Sequence, residues 1–108
     1  MKDEKRIQSY IPMSETAYYI LLSLLFDERH GYAIMQQVEA QTKGRIRLGA
    51  GTLYGTLAKM EKGGLIEVVA EAEKRKIYQI TPFGKEVLLT EIVRIRELYH
   101  SSEGVAVE

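Results

Sequence analysis

Two stretches of this 108-residue chain concentrate positive charge. Residues 43 to 62 hold Lys43, Arg45, Arg47, Lys59 and Lys62 against Glu61 alone, and residues 74 to 85 hold Lys74, Arg75, Lys76 and Lys85 with no acid. The whole chain is neutral, with 15 basic and 15 acidic side chains, so the remainder is acidic and the molecule is polarised wherever the fold puts the basic segments on one face. Such a face attracts a polyanion. Lysines and arginines neutralise phosphates and supply affinity without sequence information, whereas hydroxyls and cations on a helix that enters a groove can read base edges. Thr52, Thr56, Lys59 and Lys62 have the spacing of one helix face, with Gly55 among them leaving a gap for a groove edge or a phosphate.

Other chemistries find no support. Cysteine is absent, which removes disulfides, thiolate metal sites and thiol nucleophiles. His30, at a helix entry, and His100, in the tail, lack metal-ligand spacing, and His30 reads as a cap for the helix that follows it. The serines sit in no nucleophile motif, and the glycines at 49, 51 and 55 come without the lysine-hydroxyl pair of a phosphate loop. No enzyme, cofactor or metal is expected. The longest apolar run, Tyr18 to Phe26, is about half of what spans a bilayer, and the charged start Lys2 to Arg6 is no signal peptide, so no membrane partner and a cytoplasmic location are expected.

The elements that must position these residues follow from periodicity. Residues 1–13 read as a charged arm, and Pro12 steers Ile11 away from helix before Ser14 offers an N-cap. Ile20, Leu21, Leu24 and Leu25 predict a mostly buried helix ending near Asp27, and Ile34, Met35 and Val38 predict a second that stops at Gly44. The alternation from Arg45 to Leu48 predicts a short strand. Leu53, Leu57 and Met60 then form the core stripe of a third helix that ends at Gly63-Gly64. Runs 65–70 and 76–81 read as a hairpin around a polar tip, and Thr81-Pro82 opens a last helix to about Tyr99, with a frayed tail at 100–108.

In the last helix Leu88, Ile92, Ile95 and Tyr99 recur at spacings of 4, 3 and 4, a coiled-coil seam about 17 Å long, with Phe83, Val87 and Leu98 on a second stripe. A domain of this size buries only roughly 65% of its unfolded surface, and its short elements offer little area for both stripes. Leu88, Ile92, Ile95 and Tyr99 are therefore assigned to a homodimer interface.

The expected fold class is mainly α with a small β-hairpin: a winged helix-turn-helix over residues 14–81 plus a C-terminal dimerisation helix over 82–99. In that architecture the third helix enters a groove of double-stranded DNA and the hairpin tip touches the flanking backbone. The expected DNA-binding set is Thr52, Tyr54, Gly55, Thr56, Lys59 and Lys62 on the helix, with Lys74, Arg75 and Lys76 on the wing. The alternative is a winged helix used only as a protein-interaction module, which would favour apolar rather than basic residues on this face.

The segments SETAYYILLSLL, RHGYAIMQQVE, GTLYGTLAKMEKGGLIE and RKIYQITPFGKEVL resemble PadR-like transcriptional regulators over about residues 11 to 98. The most specific part is Gly51-Thr52-Leu53-Tyr54 followed by Leu57, Met60, Gly64, Leu65 and Ile66. The resemblance implies a dimeric repressor of the family's small-subunit branch, and in some members a phenolic or drug-like effector that alters DNA affinity. A small aromatic effector would then lodge in a shared cleft between the first-helix face and the last-helix stripe. The chain has no tryptophan, so an indole stacking platform is not available for it.

Overall fold

A computed structural model describes residues 2–107. Among the described residues five helices and three strands follow in order: α1 (Lys2–Gln8), α2 (Glu15–Ser23), β1 (Arg29–His30), α3 (Gly31–Gln41), α4 (Ala50–Lys62), β2 (Ile66–Ala72), β3 (Arg75–Ile80) and α5 (Pro82–Ser101). The architecture is the expected one, mainly helical with a small antiparallel sheet and a long C-terminal helix.

The core forms where the apolar stripes of α2, α3 and α4 meet the hairpin base and the first turns of α5. Ile20, Leu21, Ile34, Val38, Leu53, Leu57, Ile66 and Leu88 are almost fully buried there. Side-chain caps set the helix starts: the Ser14 hydroxyl accepts from the Ala17 amide, and the Thr81 hydroxyl accepts from the Gly84 amide at 2.9 Å while donating to the Gly64 carbonyl at 2.6 Å. Thr81 thereby ties the end of the hairpin to its beginning. Gly84 is obligatory at this junction, because a Cβ there would stand 2.0 Å from the Leu65 carbonyl oxygen.

Three local expectations are corrected. The first is the N-terminal arm, of which Lys2–Gln8 form a helix. Ile7 joins the core, and the Arg6 guanidinium donates to the Gly63 carbonyl at 2.8 Å while lying 3.9 Å from the Phe83 ring centroid. Seven residues are too few to be helical alone, so this helix is stabilised by docking. The second is the strand at 45–48, which does not form. Thr42 is buried and organises this loop, its hydroxyl donating to the Val38 carbonyl and accepting from the Ile46 amide at 3.0 Å, so the Ile46 amide goes to a side chain rather than to a ladder. The third strand of the sheet is instead β1, from the segment between the first two expected helices. Arg29 pairs with Tyr78 and His30 with Ile77, which makes β3 central in the order β1-β3-β2. The first helix also ends earlier than expected, at Ser23.

Candidate nucleic-acid interface

α4 presents Leu53, Leu57 and Met60 to the core. At 100° per residue the direction opposite that stripe is occupied by Gly51, Thr52, Gly55, Ala58, Lys59 and Lys62. All six are exposed, and four carry no more than a methyl or a small hydroxyl beyond Cα, so the outer surface of α4 is a low ridge with two cations at its C-terminal end, where the helix dipole favours them. Thr56 lies at the edge of the face, half-buried, and its hydroxyl donates to the Thr52 carbonyl at 2.8 Å. Of the two threonines, Thr52 has the freer hydroxyl.

Tyr54 lies on the flank of α4 that faces α3 and the wing. Its ring occupies the space a side chain on Gly31 would need, since a Cβ at Gly31 would approach the Tyr54 hydroxyl to 2.5 Å. Tyr54 forms one wall of a cleft of about 510 Å³ whose other walls come from the α3 entry (His30, Gly31, Tyr32) and the wing (Glu71, Lys74, Arg75, Lys76, Tyr78). The cleft thus brings the expected Tyr54 opposite the expected wing residues Lys74, Arg75 and Lys76, while Thr52, Gly55, Thr56, Lys59 and Lys62 lie outside it on α4. Burial holds the Tyr78 hydroxyl above its ordinary pKa, so it remains a neutral donor at the cleft floor.

The wing turns through Glu73 and Lys74, both with positive φ (52° and 64°) and neither a glycine. Two consecutive left-handed residues are the geometry of a type I′ turn, which matches the twist of the hairpin. Lys74, Arg75 and Lys76 are exposed, and no ion pair involves them among the described residues. Glu71 stands directly across from Lys76 in the ladder and is the one acid lining the cleft.

The basic set is smaller than the charge count by segment implies. Arg45 pairs with Glu15 of α2 and Arg47 lies 3.8 Å from Glu39 of α3, so each of these exposed cations has an acid beside it. Lys85 lines a different groove beside Asp27 and Glu28. Lys43, in the turn after α3, lines neither α4 nor the cleft, and Lys59, Lys62, Lys74, Arg75 and Lys76 remain on the candidate face. His30 and Tyr32, absent from the expected set, line the cleft because β1 pairs with β3. A two-residue strand has no periodicity to read.

The proposed interface stripe on α5 divides in two. Leu88 is fully buried in its own chain, and Ile92 packs against the same core. Ile95 and Tyr99 are 38% and 70% exposed, and with Leu98 they leave an apolar strip uncovered on the outer half of α5, whereas the exposed Leu89 and Val93 lie on a different side of the helix. Beside that half a groove of about 370 Å³ is lined by Met13, Tyr18, Tyr19, Glu91, Arg94 and Ile95. No helix among the described residues is long and apolar enough to cross a membrane.

Comparison with known proteins bears on this geometry. The family model described as the transcriptional regulator PadR-like family matches residues 20–90. An uncharacterised protein of Lysinibacillus sphaericus is 35% identical over 79 residues, covering 69% of this chain and 72% of that protein. A transcriptional regulator of Mycobacterium tuberculosis is 30% identical over 83 residues, covering 74% and 75%. Among solved structures, a transcriptional regulator from Clostridium thermocellum superimposes with a TM-score of 0.72 at 24% identity, over 93% of this chain and 94% of that one.

Proposed function

As a member of the PadR-like family of transcriptional regulators, which are not enzymes, this chain is a DNA-binding regulator, and we propose that it acts as a dimeric repressor with α4 as its reading helix. The observation that carries the reading is a sterically open α4 surface with two cations, flanked by a cleft whose wing side carries three more. The low ridge of α4, whose Lys59 and Lys62 are in no ion pair among the described residues, is flanked at Tyr54 by a cleft whose far wall holds Lys74, Arg75 and Lys76. A duplex with α4 in its major groove would bring its backbone against the wing. Thr52, Gly55, Thr56 and Lys59 would meet base edges, Tyr54 and Lys62 the groove wall, and the wing cations phosphates.

Residues 14–81 are the DNA-binding unit in this reading and 82–99 the helix that joins two copies, with 100–108 a tail that takes no part. A two-fold dimer would place its two α4 helices in successive major grooves about 34 Å apart and so require a near-palindromic site, in the cytoplasm where the chromosome lies. The groove beside Tyr18, Tyr19 and Ile95 supports a small aromatic effector, since it adjoins the apolar half of α5 and would be closed over by a second copy there. Such a molecule lowers DNA affinity only by as much as it prefers the non-binding arrangement.

The test is binding-site selection on random duplexes, followed by salt titration of variants on the selected and on random DNA. Thr52→Ala and Lys59→Ala should change sequence preference as well as affinity. Arg75→Ala and Lys76→Ala should weaken all duplexes about equally and lower the salt slope by about 0.9 per lost phosphate contact. Selection that yields no inverted repeat would remove the dimer model, equal losses for every variant would remove α4 as the reader, and planar aromatic compounds that bind without displacing the operator would remove the effector.

A further inference from the structure

His30 is an N-cap that still has a hydrogen to give. Its Nδ1 accepts from the Ala33 backbone N–H at 3.3 Å, at the first turn of α3. An imidazole that accepts at Nδ1 is neutral and carries its proton on Nε2, so the cap fixes the tautomer. Among the described residues no group accepts from that Nε2–H.

The backbone that carries the ring is also held in place. His30 belongs to β1 and stands opposite Ile77, so its backbone is anchored to the wing one residue from Lys76. The next residue, Gly31, is covered by the Tyr54 ring, which fills the space its missing side chain leaves open. His30 lines the same cleft as Lys74, Arg75 and Lys76, half-buried, with its donor fixed by the cap rather than by the ligand. A single preorganised N–H among cations, at the junction of the wing and the α3 entry, suits an oxygen of the duplex backbone rather than a base edge.

We propose that His30 is a phosphate contact: Nε2–H donates to a backbone phosphate oxygen of DNA seated between α4 and the wing, while Nδ1 keeps the α3 cap. This rests on the DNA-binding reading above. Because the ring is neutral, the contact releases no counterion, which separates it from those of Arg75 and Lys76.

Two substitutions divide the functions of the ring. In His30→Asn the side-chain oxygen takes the place of Nδ1 and keeps the cap, and the Nε2 donor is lost. In His30→Gln the amide nitrogen takes the place of Nε2, and the cap is lost. Both are measured against wild type, with Arg75→Ala and Lys76→Ala as ionic controls, on the selected operator and on a random duplex. His30→Asn should melt like wild type, bind both duplexes about tenfold more weakly and keep the wild-type salt slope. His30→Gln should melt lower yet retain most of the affinity.

Wild-type affinity in His30→Asn, or equal losses in the two variants, overturns the proposal and leaves His30 as a cap alone. A lowered salt slope in His30→Asn overturns the neutral donor. In each of these cases the ionic controls still weaken binding and the DNA reading stands. Absence of duplex binding by the wild-type protein ends both.

Discussion

A carboxylate with about 1% exposure survives only when its charge is met, and Glu91 shows how. It accepts from Arg94 Nε at 2.5 Å and Nη2 at 3.1 Å and from the Met13 backbone N–H at 2.7 Å. The Arg94 hydrogen bonds, aided by the Met13 amide, outweigh desolvation and hold its pKa below the ordinary 4.5. The unfolded chain therefore takes up this proton first as pH falls. Stability from Glu91 is fully present above about pH 4.5 and is lost as pH drops through that value toward the depressed folded one. Glu91→Gln should destabilise by about 2 kcal/mol near neutral pH and flatten the decline of the urea midpoint on acidification. An unchanged acid profile would show that the charge of Glu91 is not what ties Met13 to α5. In sequence this residue is one acid among the apolar repeats of the last helix, and nothing local reveals that a backbone amide 78 positions earlier points at it.

At the scale of elements the wing carries a conflict between folding and binding. Lys74 is held at φ 64°, where a side chain costs about 1 kcal/mol relative to glycine. Lys74→Gly should raise stability by about that amount while weakening DNA binding and reducing the salt slope by about 0.9. Opposite signs in a chemical melt and a binding titration from one variant are the check, and a variant that loses stability would rule out strain at this turn. The hairpin, α4 and α5 were legible because each declares itself locally: β-branched runs around a polar tip, a core stripe before a glycine pair, and Thr-Pro at a helix start. β1 and α1 were not. Two residues make a strand only when a partner edge is present, and seven make a helix only when Arg6, Ile7 and Tyr10 find Gly63, the core and Phe83.

For the whole molecule the decisive feature is the reach of α5. The radius of gyration is 15.0 Å, above the ~13 Å of a compact chain of this length. Twenty residues of helix extend about 30 Å, and only the first half is covered by the domain. The remaining apolar surface is what a second copy would bury. Leu98→Glu, at a position 55% exposed, should leave the melting of the single chain nearly unchanged and shift light scattering from dimer toward monomer, with weaker operator binding. A scattering mass that stays at one chain for the wild type would remove the interface. Ile92 is a poorer test of it, because it also packs on the chain's own core and its loss would destabilise the single chain as well.

The amino-acid order alone determined the helical stripes, the hairpin, the caps at Ser14, His30 and Thr81, and the residue types of a basic reading face. Each depends on neighbours within a few positions, where periodicity and capping chemistry act. Tertiary structure alone decided which cations count and which apolar residues face outward. Arg45 and Arg47 lie beside Glu15 and Glu39, and Leu88 went to the core while Ile95 and Tyr99 stayed out. Pairing and burial are settled between residues far apart in sequence, so a local pattern shows that a side chain is basic or apolar but not what it meets. The cleft that unites His30, Tyr54 and Lys76 belongs to that second class, since it exists only because β1 pairs with the wing.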